Sequence, residues 1–420
     1  MMNRIKKIFL ILLIGLSAAG LNSFACAEVQ SKEEEALFVA KKAFEDGYYE
    51  VSLSLLERFL GNFPDSSKAG EAELLTGQCY FYQNKLVDAL AKFESLLNKP
   101  SARSLKDAVL YWIAEVYFKI NNLSKSEAFY RKVISEYPNS SYVPLAFYSL
   151  GWSAFQEHKF QEAYGYFKTI EDKYPKEPQA KEAAFKIIES LYNLKDYAAL
   201  RDKGLSYLKF FPGDPVRTFY LYFYLAEAEY YSGNFSQALE YYAKVLRGSD
   251  DDKIQALSRL GAGWSYLKLK RYKEAESEFS ALKEESLDKK GVETFLLGRA
   301  VLLSETERIS EADKLYSRLI VTASDPSIIF LAYQGKADAL YNLAKYRESA
   351  LFYEEALKRT GPLNTPAEII DKLRYNLGLA FLKQSRPKDA IKELERVVKE
   401  SSNKAMRENV LLQLGDLYRD

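Results

Sequence analysis

A chain of 420 residues is long enough for two or three ordinary domains, or for one repeat array that grows by addition. Lys and Arg number 59 against 58 Asp and Glu, a formal charge of +1, which does not favour nucleic acid or another polyanion as the main partner. With only 12 Pro and 20 Gly the composition describes a helical soluble body, and its 32 Tyr and 25 Phe must be either packed or presented.

Residues 1–27 have the three parts of a secretory signal peptide. Arg4, Lys6 and Lys7 come first, then the apolar run Ile8 to Leu16, then small residues ending in Ala25-Cys26-Ala27. Cleavage after Ala27 leaves a net charge of about −2 and a single cysteine, Cys79, so no internal disulfide can form. The apolar run is short for a membrane span, which needs about 20 residues, so no integral span is expected in the mature chain. Two alternatives stay open. The run is an uncleaved anchor, or Cys26 is a lipidated first residue, although Ser23 and Phe24 stand where lipoprotein signals prefer Leu and a small residue.

From residue 28 onward a period of about 37 governs the chain. Small residues recur at Ala40, Gly77, Ala114, Gly151, Ala226, Gly263, Ala300, Ala337, Gly378 and Gly415, with Ile188 filling the one empty slot. Twelve residues after each of the first ten slots comes a second series, which includes Ser52, Ala89, Ser126, Ala163 and Ala238. Four residues further stand large ones, Leu56, Phe93, Tyr130, Phe167, Tyr242, Phe279, Tyr316, Tyr353 and Leu394. Two small positions per unit predict two close helix crossings, and the large residue one turn on fills the gap beside them. Short polar turns such as "EDGYY", "EHKF" and "SGNF" separate the two helices, and Pro64, Pro138, Pro175 and Pro212 stop the second helix in four units.

Small, small, aromatic and proline at these offsets resemble the tetratricopeptide repeat, held in register over essentially the whole mature chain. The resemblance implies an all-α, right-handed superhelical solenoid of about ten helix pairs. Repeats one to nine would span 28–360, and 361–420 would hold the tenth repeat and a capping helix at about 404–419. The stretch "YPNSSY" at Tyr137 to Tyr142, with "PLAFYSLGWSAF" after it, is similar to repeats of bacterial envelope proteins. Two such groups are the BamD-like lipoproteins of outer-membrane assembly and the periplasmic coordinator associated with the Tol-Pal system. Both have fewer repeats, so the similarity is one of repeat style.

Three segments break the pattern. In unit five Ile188 and Leu200 replace small residues while Gly204 replaces the large one, so bulk has moved one turn along the helix. "RTGPLNTPAE", across the longest interval, 41, predicts a bend or loose joint, and "GSDDDK" at Gly248 to Lys253 reads as a solvated connector.

Catalytic chemistry finds few candidates. His158, the only histidine, falls in a turn, and Cys79 beside Gly77 reads as a buried, inert thiol. No phosphate loop, nucleophile elbow or zinc-spaced ligand set occurs; "GAGW" at Gly261 to Trp264 has no preceding strand. A non-enzymatic protein without a cofactor or bound metal is the expectation.

In repeats of this family the first helices line the concave surface, and the resemblance carries that face over by register. One position supplies Phe81, Phe118, Phe155, Tyr192 and Tyr230, a second Tyr111, Tyr148, Phe185 and Phe223, and a third Trp152 and Trp264 among the acids Glu115, Glu189 and Glu227. Packing between adjacent first helices would account for part of this ladder. Tyr hydroxyls suit an interface better than a dry core. Relatives that grip a C-terminal carboxylate use Lys and Asn where this chain has mostly apolar and aromatic residues, which implies an apolar or aromatic segment in the groove. The expected function is a periplasmic scaffold or adaptor for cell-envelope proteins, in assembly or maintenance of the envelope, with outer-membrane association open. The alternative is a peptidoglycan or carbohydrate binder, since aromatic faces also stack on sugars.

Overall fold

The small residues recur because each marks a place where two helices cross closely, and the period is the length of one helix hairpin. The computed structural model describes residues 32–419, all helix and turn without a strand among them. The proposed signal peptide, residues 1–27, lies outside the described residues. Two compact units divide the chain after Leu194.

In unit 1 the first helices are α1 (32–45), α3 (Ala69–Tyr82), α5 (Lys106–Lys119), α7 (Tyr142–Gln156) and α9 (Gln179–Leu194). Between them run the second helices α2 (Tyr49–Asn62), α4 (Leu86–Leu97), α6 (Leu123–Glu136) and α8 (Phe160–Lys173). Unit 2 opens on the second helix α10 (Tyr197–Phe210). The pairs α11 (Pro215–Tyr231) with α12 (Phe235–Gly248), α13 (Asp252–Lys268) with α14 (Tyr272–Ser280), and α15 (Lys289–Glu305) with α16 (Ile309–Thr322) follow. It ends with α17 (Pro326–Asn342) and α18 (Tyr346–Lys358), α19 (Ala367–Lys383) and α20 (Pro387–Glu400), and the single helix α21 (Lys404–Arg419). Four hairpins in unit 1 and five in unit 2 follow the period read from the sequence, with α9 ending unit 1, α10 opening unit 2 and α21 as the last described helix. Within each unit every helix packs on the next, and successive first helices touch.

The crossings explain the residue choice. A Cβ added at Gly77 would lie 2.4 Å from the Phe93 ring, one at Gly151 2.7 Å from Phe167, and one at Gly263 2.4 Å from Phe279. The small residue of the first helix is thus the seat of the large residue of the second. Where the other small position is Ser, its hydroxyl donates to the carbonyl of the first: Ser52 to Ala40 at 2.8 Å, Ser126 to Ala114 at 3.0 Å, Ser349 to Ala337 at 2.8 Å. A further column, five residues before each small position, is 0–2% exposed from Ala72 through Val109, Leu221 and Phe295 to Val410, yet is Glu35 in α1, where it is exposed. Its mixed sizes hid it from a search for small residues.

Each hairpin turn is built alike. The seventh residue after the small position is left-handed in all ten hairpins: Gly47 and Gly233 at φ +81° and +83°, and eight non-glycine residues, among them Asn84, His158, Glu307 and Ala344, at +57° to +61°. The next N–H reaches back to the helix, as in Lys85 N to the Tyr80 carbonyl at 2.9 Å and Lys345 N to that of Leu340 at 2.9 Å, which closes the helix end. His158 is therefore an exposed turn residue, as its position suggested.

Linkers between hairpins carry a second device. The Ser140 hydroxyl donates to Asp107 at 2.6 Å and accepts the N–H of Tyr142 at 3.0 Å; Ser66 joins Glu33 and the Lys68 N–H in the same way, and Ser324 donates to Glu293 at 2.8 Å. The "YPNSSY" motif is this staple. "GSDDDK" is exposed at five of its six residues, as a solvated connector should be, and is also ordered: Ser249 is buried, and Asp251 caps α13 by accepting from Lys253 N and Ile254 N, and binds the Tyr220 hydroxyl at 2.7 Å. The register also gave no sign that α14 stops after nine residues, followed by a 3₁₀ turn, Glu284–Ser286, that Arg318 holds through Glu284.

In unit five, Leu200 is fully buried, and the space beside Gly204 belongs to α11: a Cβ there would meet Leu225 at 2.9 Å and Leu221 at 3.1 Å. Cys79 is buried, and burial pushes its thiol up, which keeps it protonated.

Candidate partner-binding site

The aromatic ladder divides into two kinds of residue. Phe81, Tyr111, Phe185 and Phe223 are core, 6–9% exposed. The position three residues before the small one does not face outward as the repeat register implied. It points at the second helix of its own hairpin, where Tyr111 meets Tyr130 at 5.8 Å and Phe223 meets Tyr242 at 6.4 Å between ring centroids. Phe81 is roofed by Trp112, 5.3 Å away, and by the Lys119 ammonium 4.5 Å from its ring centroid. Tyr148 shares the inward position, with Phe167 at 5.6 Å, but keeps a half-exposed edge.

Phe118, Tyr148, Trp152, Phe155, Tyr192 and Tyr230 are half-exposed. Five of them belong to unit 1, on α5, α7 and α9. Trp152 and Phe155, one turn apart on α7, lie with ring planes 1° from parallel and centroids 6.0 Å apart, and Phe160 meets Phe155 edge-on at 5.2 Å. Across from them on α9, the Lys186 ammonium sits 4.1 Å from the Trp152 ring centroid and 5.3 Å from that of Phe155, and pairs with Glu189 at 2.5 Å. This cation–π bracket fixes the tryptophan and neutralises Glu189 at the same time. Sequence reasoning missed Lys186; its signal was a lysine two residues before a small-residue slot, one hairpin after a tryptophan. Tyr230 in unit 2 packs edge-on against Phe235 at 5.5 Å and beside Tyr231, and burial pushes its hydroxyl upward.

The acids have structural partners. Glu115 accepts from the Tyr130 hydroxyl at 2.6 Å and from Ser149 at 2.9 Å. Burial first, and the adjoining carboxylate second, hold the Tyr130 hydroxyl well above the ordinary tyrosine range, so it stays a donor. Glu227 accepts from Tyr242, and Asp338 from Tyr353 and from Asn376 at 3.3 Å. In hairpins closed by Phe93, Phe167 and Phe279 the corresponding residues are Gln78, Trp152 and Trp264. Glu115, Glu227 and Asp338 thus accompany tyrosine and serve the hairpin, while Glu189, in the repeat that has Gly204 in place of the ring, pairs with Lys186. What the row on α5, α7 and α9 offers outward is aromatic edge and face, suited to an apolar or aromatic segment. Among the described residues no group of three or more His, Cys, Asp and Glu is arranged to hold a metal ion, and no helix is long and apolar enough to cross a membrane.

Comparison with known proteins agrees with this architecture. Models of the tetratricopeptide repeat match residues 108–140, and 224–286 with 335–405, and a model described as YfiO, an outer membrane lipoprotein, matches residues 143–237. No curated protein matches the chain. Among solved structures, the apo form of RapI is similar with a TM-score of 0.52 at 15% identity, over 79% of this chain and 99% of that one. The C-terminal part of a tetratricopeptide-repeat protein from Cytophaga hutchinsonii aligns at 15% identity and a TM-score of 0.49, over 61% of this chain and 98% of that one. One from Parabacteroides merdae aligns at 18% and 0.40, over 63% and 98%. At 15% identity the likeness to RapI is one of fold.

Proposed function

We propose that this chain, a tetratricopeptide-repeat protein, is an exported, non-catalytic scaffold that holds an apolar or aromatic segment of a cell-envelope protein on the first-helix row of unit 1. The observation that carries the reading is the half-exposed cluster Phe118, Tyr148, Trp152 and Phe155, braced by Lys186, in a row whose carboxylates are taken up within the hairpins. Tetratricopeptide repeats are a protein-binding scaffold, and the lipoprotein model overlaps three of these four residues, which supports an envelope setting. Residues 1–27 would supply the route of export, whether processed after Ala27, lipidated at Cys26 or kept as an anchor. Envelope assembly or maintenance is the process such a scaffold would serve.

Changing Phe118, Tyr148 and Trp152 together to Ala tests the reading. Partner capture from solubilised envelope should be lost while circular dichroism keeps its helical signal; undiminished capture removes the proposal. Binding to isolated cell-wall polymer that depends on the same three residues would favour the carbohydrate-binding alternative. The mass of the mature N-terminus separates the soluble, lipidated and anchored forms.

A further inference from the structure

The acid of the hairpin α17–α18 does more than close it. Asp338 accepts from the Tyr353 hydroxyl and, at 3.3 Å, from the Asn376 amide, both bonds falling on Oδ1, as both bonds to Glu115 fall on Oε1 in the hairpin α5–α6. Beside Asp338, however, lies a cavity of about 240 Å³, walled also by Tyr341, Asn342, Lys372 and Leu379. At the same register around Glu115 the chain has Phe118, Lys119, Leu145 and Trp152. Leucine in place of tryptophan removes bulk from this corner, and lysine in place of leucine adds a charge. The cavity is bounded by α17, α18 and α19, and the array runs on past it through α20 and α21.

The two charges in the cavity are not spent on each other. Lys372 is exposed and acts on Asp338 across space, but forms no ion pair with it, and no donor among the described residues reaches Asp338 Oδ2. The Asn342 amide is exposed and likewise has no partner among them. Burial raises the Asp338 carboxyl above its ordinary value, against the opposing pull of the Tyr353 bond and the Lys372 charge, so a further positive group beside it is favoured. Tyr341, held edge-on by Tyr346 at 5.2 Å, fixes one wall. A lone anion would be set against Asp338 and a lone cation against Lys372, so a ligand that satisfies both carries both charges. It is also small, since the volume falls below the roughly 300–1,000 Å³ of clefts that hold drug-sized ligands.

We propose that this cavity binds a small free α-amino acid, with its ammonium on Asp338 Oδ2, its carboxylate on Lys372 and Asn342, and a short side chain against Leu379. Each end is then held by a charge-assisted bond. The site shares no residue with the aromatic row of unit 1, so either can fail without the other.

Isothermal titration of the full-length protein with glycine, L-alanine and L-serine tests the assignment. Saturable binding of at least one is expected, with methylammonium and acetate, each carrying one of the two charges, weaker by about tenfold or more. Lys372→Met and Asp338→Asn should each weaken the amino acid by about tenfold or more. Lys372 is exposed and Asn can still accept the Tyr353 bond, so unchanged melting curves will show that the variants fold; should Asp338→Asn melt early, Lys372→Met decides. No saturable heat with any of the three, or binding that ignores the substitutions, overturns the proposal. Methylammonium or acetate bound as tightly as the amino acid does so too, as does glucose bound in its place, since a single ion or a neutral polyol would then be the occupant.

Discussion

Hairpin two, closed by Phe93 over Gly77, and hairpin three, closed by Tyr130 beside Ala114, make the same helix crossing with different chemistry. In hairpin two the ring alone fills the gap, and the residue after the small one is Gln78. In hairpin three the ring ends in a hydroxyl that must find an acceptor when buried, and the residue after the small one is Glu115, 2.6 Å away. Hairpins six and nine repeat the tyrosine solution with Glu227 and Asp338, while Tyr316 in hairpin eight, where Val301 replaces the acid, uses Ser304 at 3.3 Å. The contrast ties Glu115, Glu227 and Asp338 to hairpins closed by tyrosine, and the half-exposed surface of the row on α5, α7 and α9 is aromatic.

The largest effect should come from removing the closing ring. Phe93→Ala leaves a cavity against Gly77 and should cost about 3–5 kcal/mol in urea unfolding. Helix α10, in which Gly204 stands where the ring would be, allows the converse change. Gly204→Phe must displace Leu221 and Leu225, and should cost about 1–3 kcal/mol, well beyond a Phe placed on an exposed helical face. Equal melting temperatures for those two variants would show that α11 yields freely.

A smaller change converts hairpin three into hairpin two. Tyr130→Phe removes one of the two bonds to Glu115 and should cost about 1–2 kcal/mol; adding Glu115→Gln should recover part of it, giving a positive coupling in a double-mutant cycle. Strict additivity would mean that hydroxyl and carboxylate are independent. Smallest, and of opposite sign, is Ala344→Gly: Ala344 holds φ +57° at the hairpin turn, and glycine there should raise stability by about 0.5–1 kcal/mol in thermal unfolding.

Much of this was legible in the sequence because two small residues and one large residue per turn of the array are a strong, spaced signal. The last helix was placed at about 404–419 and is found at Lys404–Arg419. The left-handed turn position was not legible, because Gly, Asn, His, Lys, Glu, Ala and Ser all occupy it; the constraint is met by the hydrogen bonds of the helix end and leaves little mark on residue type. The site was read in part. Trp152 and Phe155, read from two separate register positions, stack one turn apart on α7, whereas Tyr111 and Phe223 turn toward their own second helices, since a position three residues from the small one lies on the flank that the second helix covers. The pairing of Glu115 with Tyr130 is visible in the sequence only as a correlation between two columns fifteen residues apart, and its meaning needs the geometry.

The most direct measurement is partner capture by two variants of the whole protein side by side. One, Trp152→Ala with Phe155→Ala, strips the aromatic surface; the other, Tyr130→Phe with Glu115→Gln, removes the charge and keeps the surface. An aromatic row as the contact surface requires that the first loses the partner and the second retains it. Retention by the first and loss by the second would show that the carboxylate, and not the rings, makes the contact.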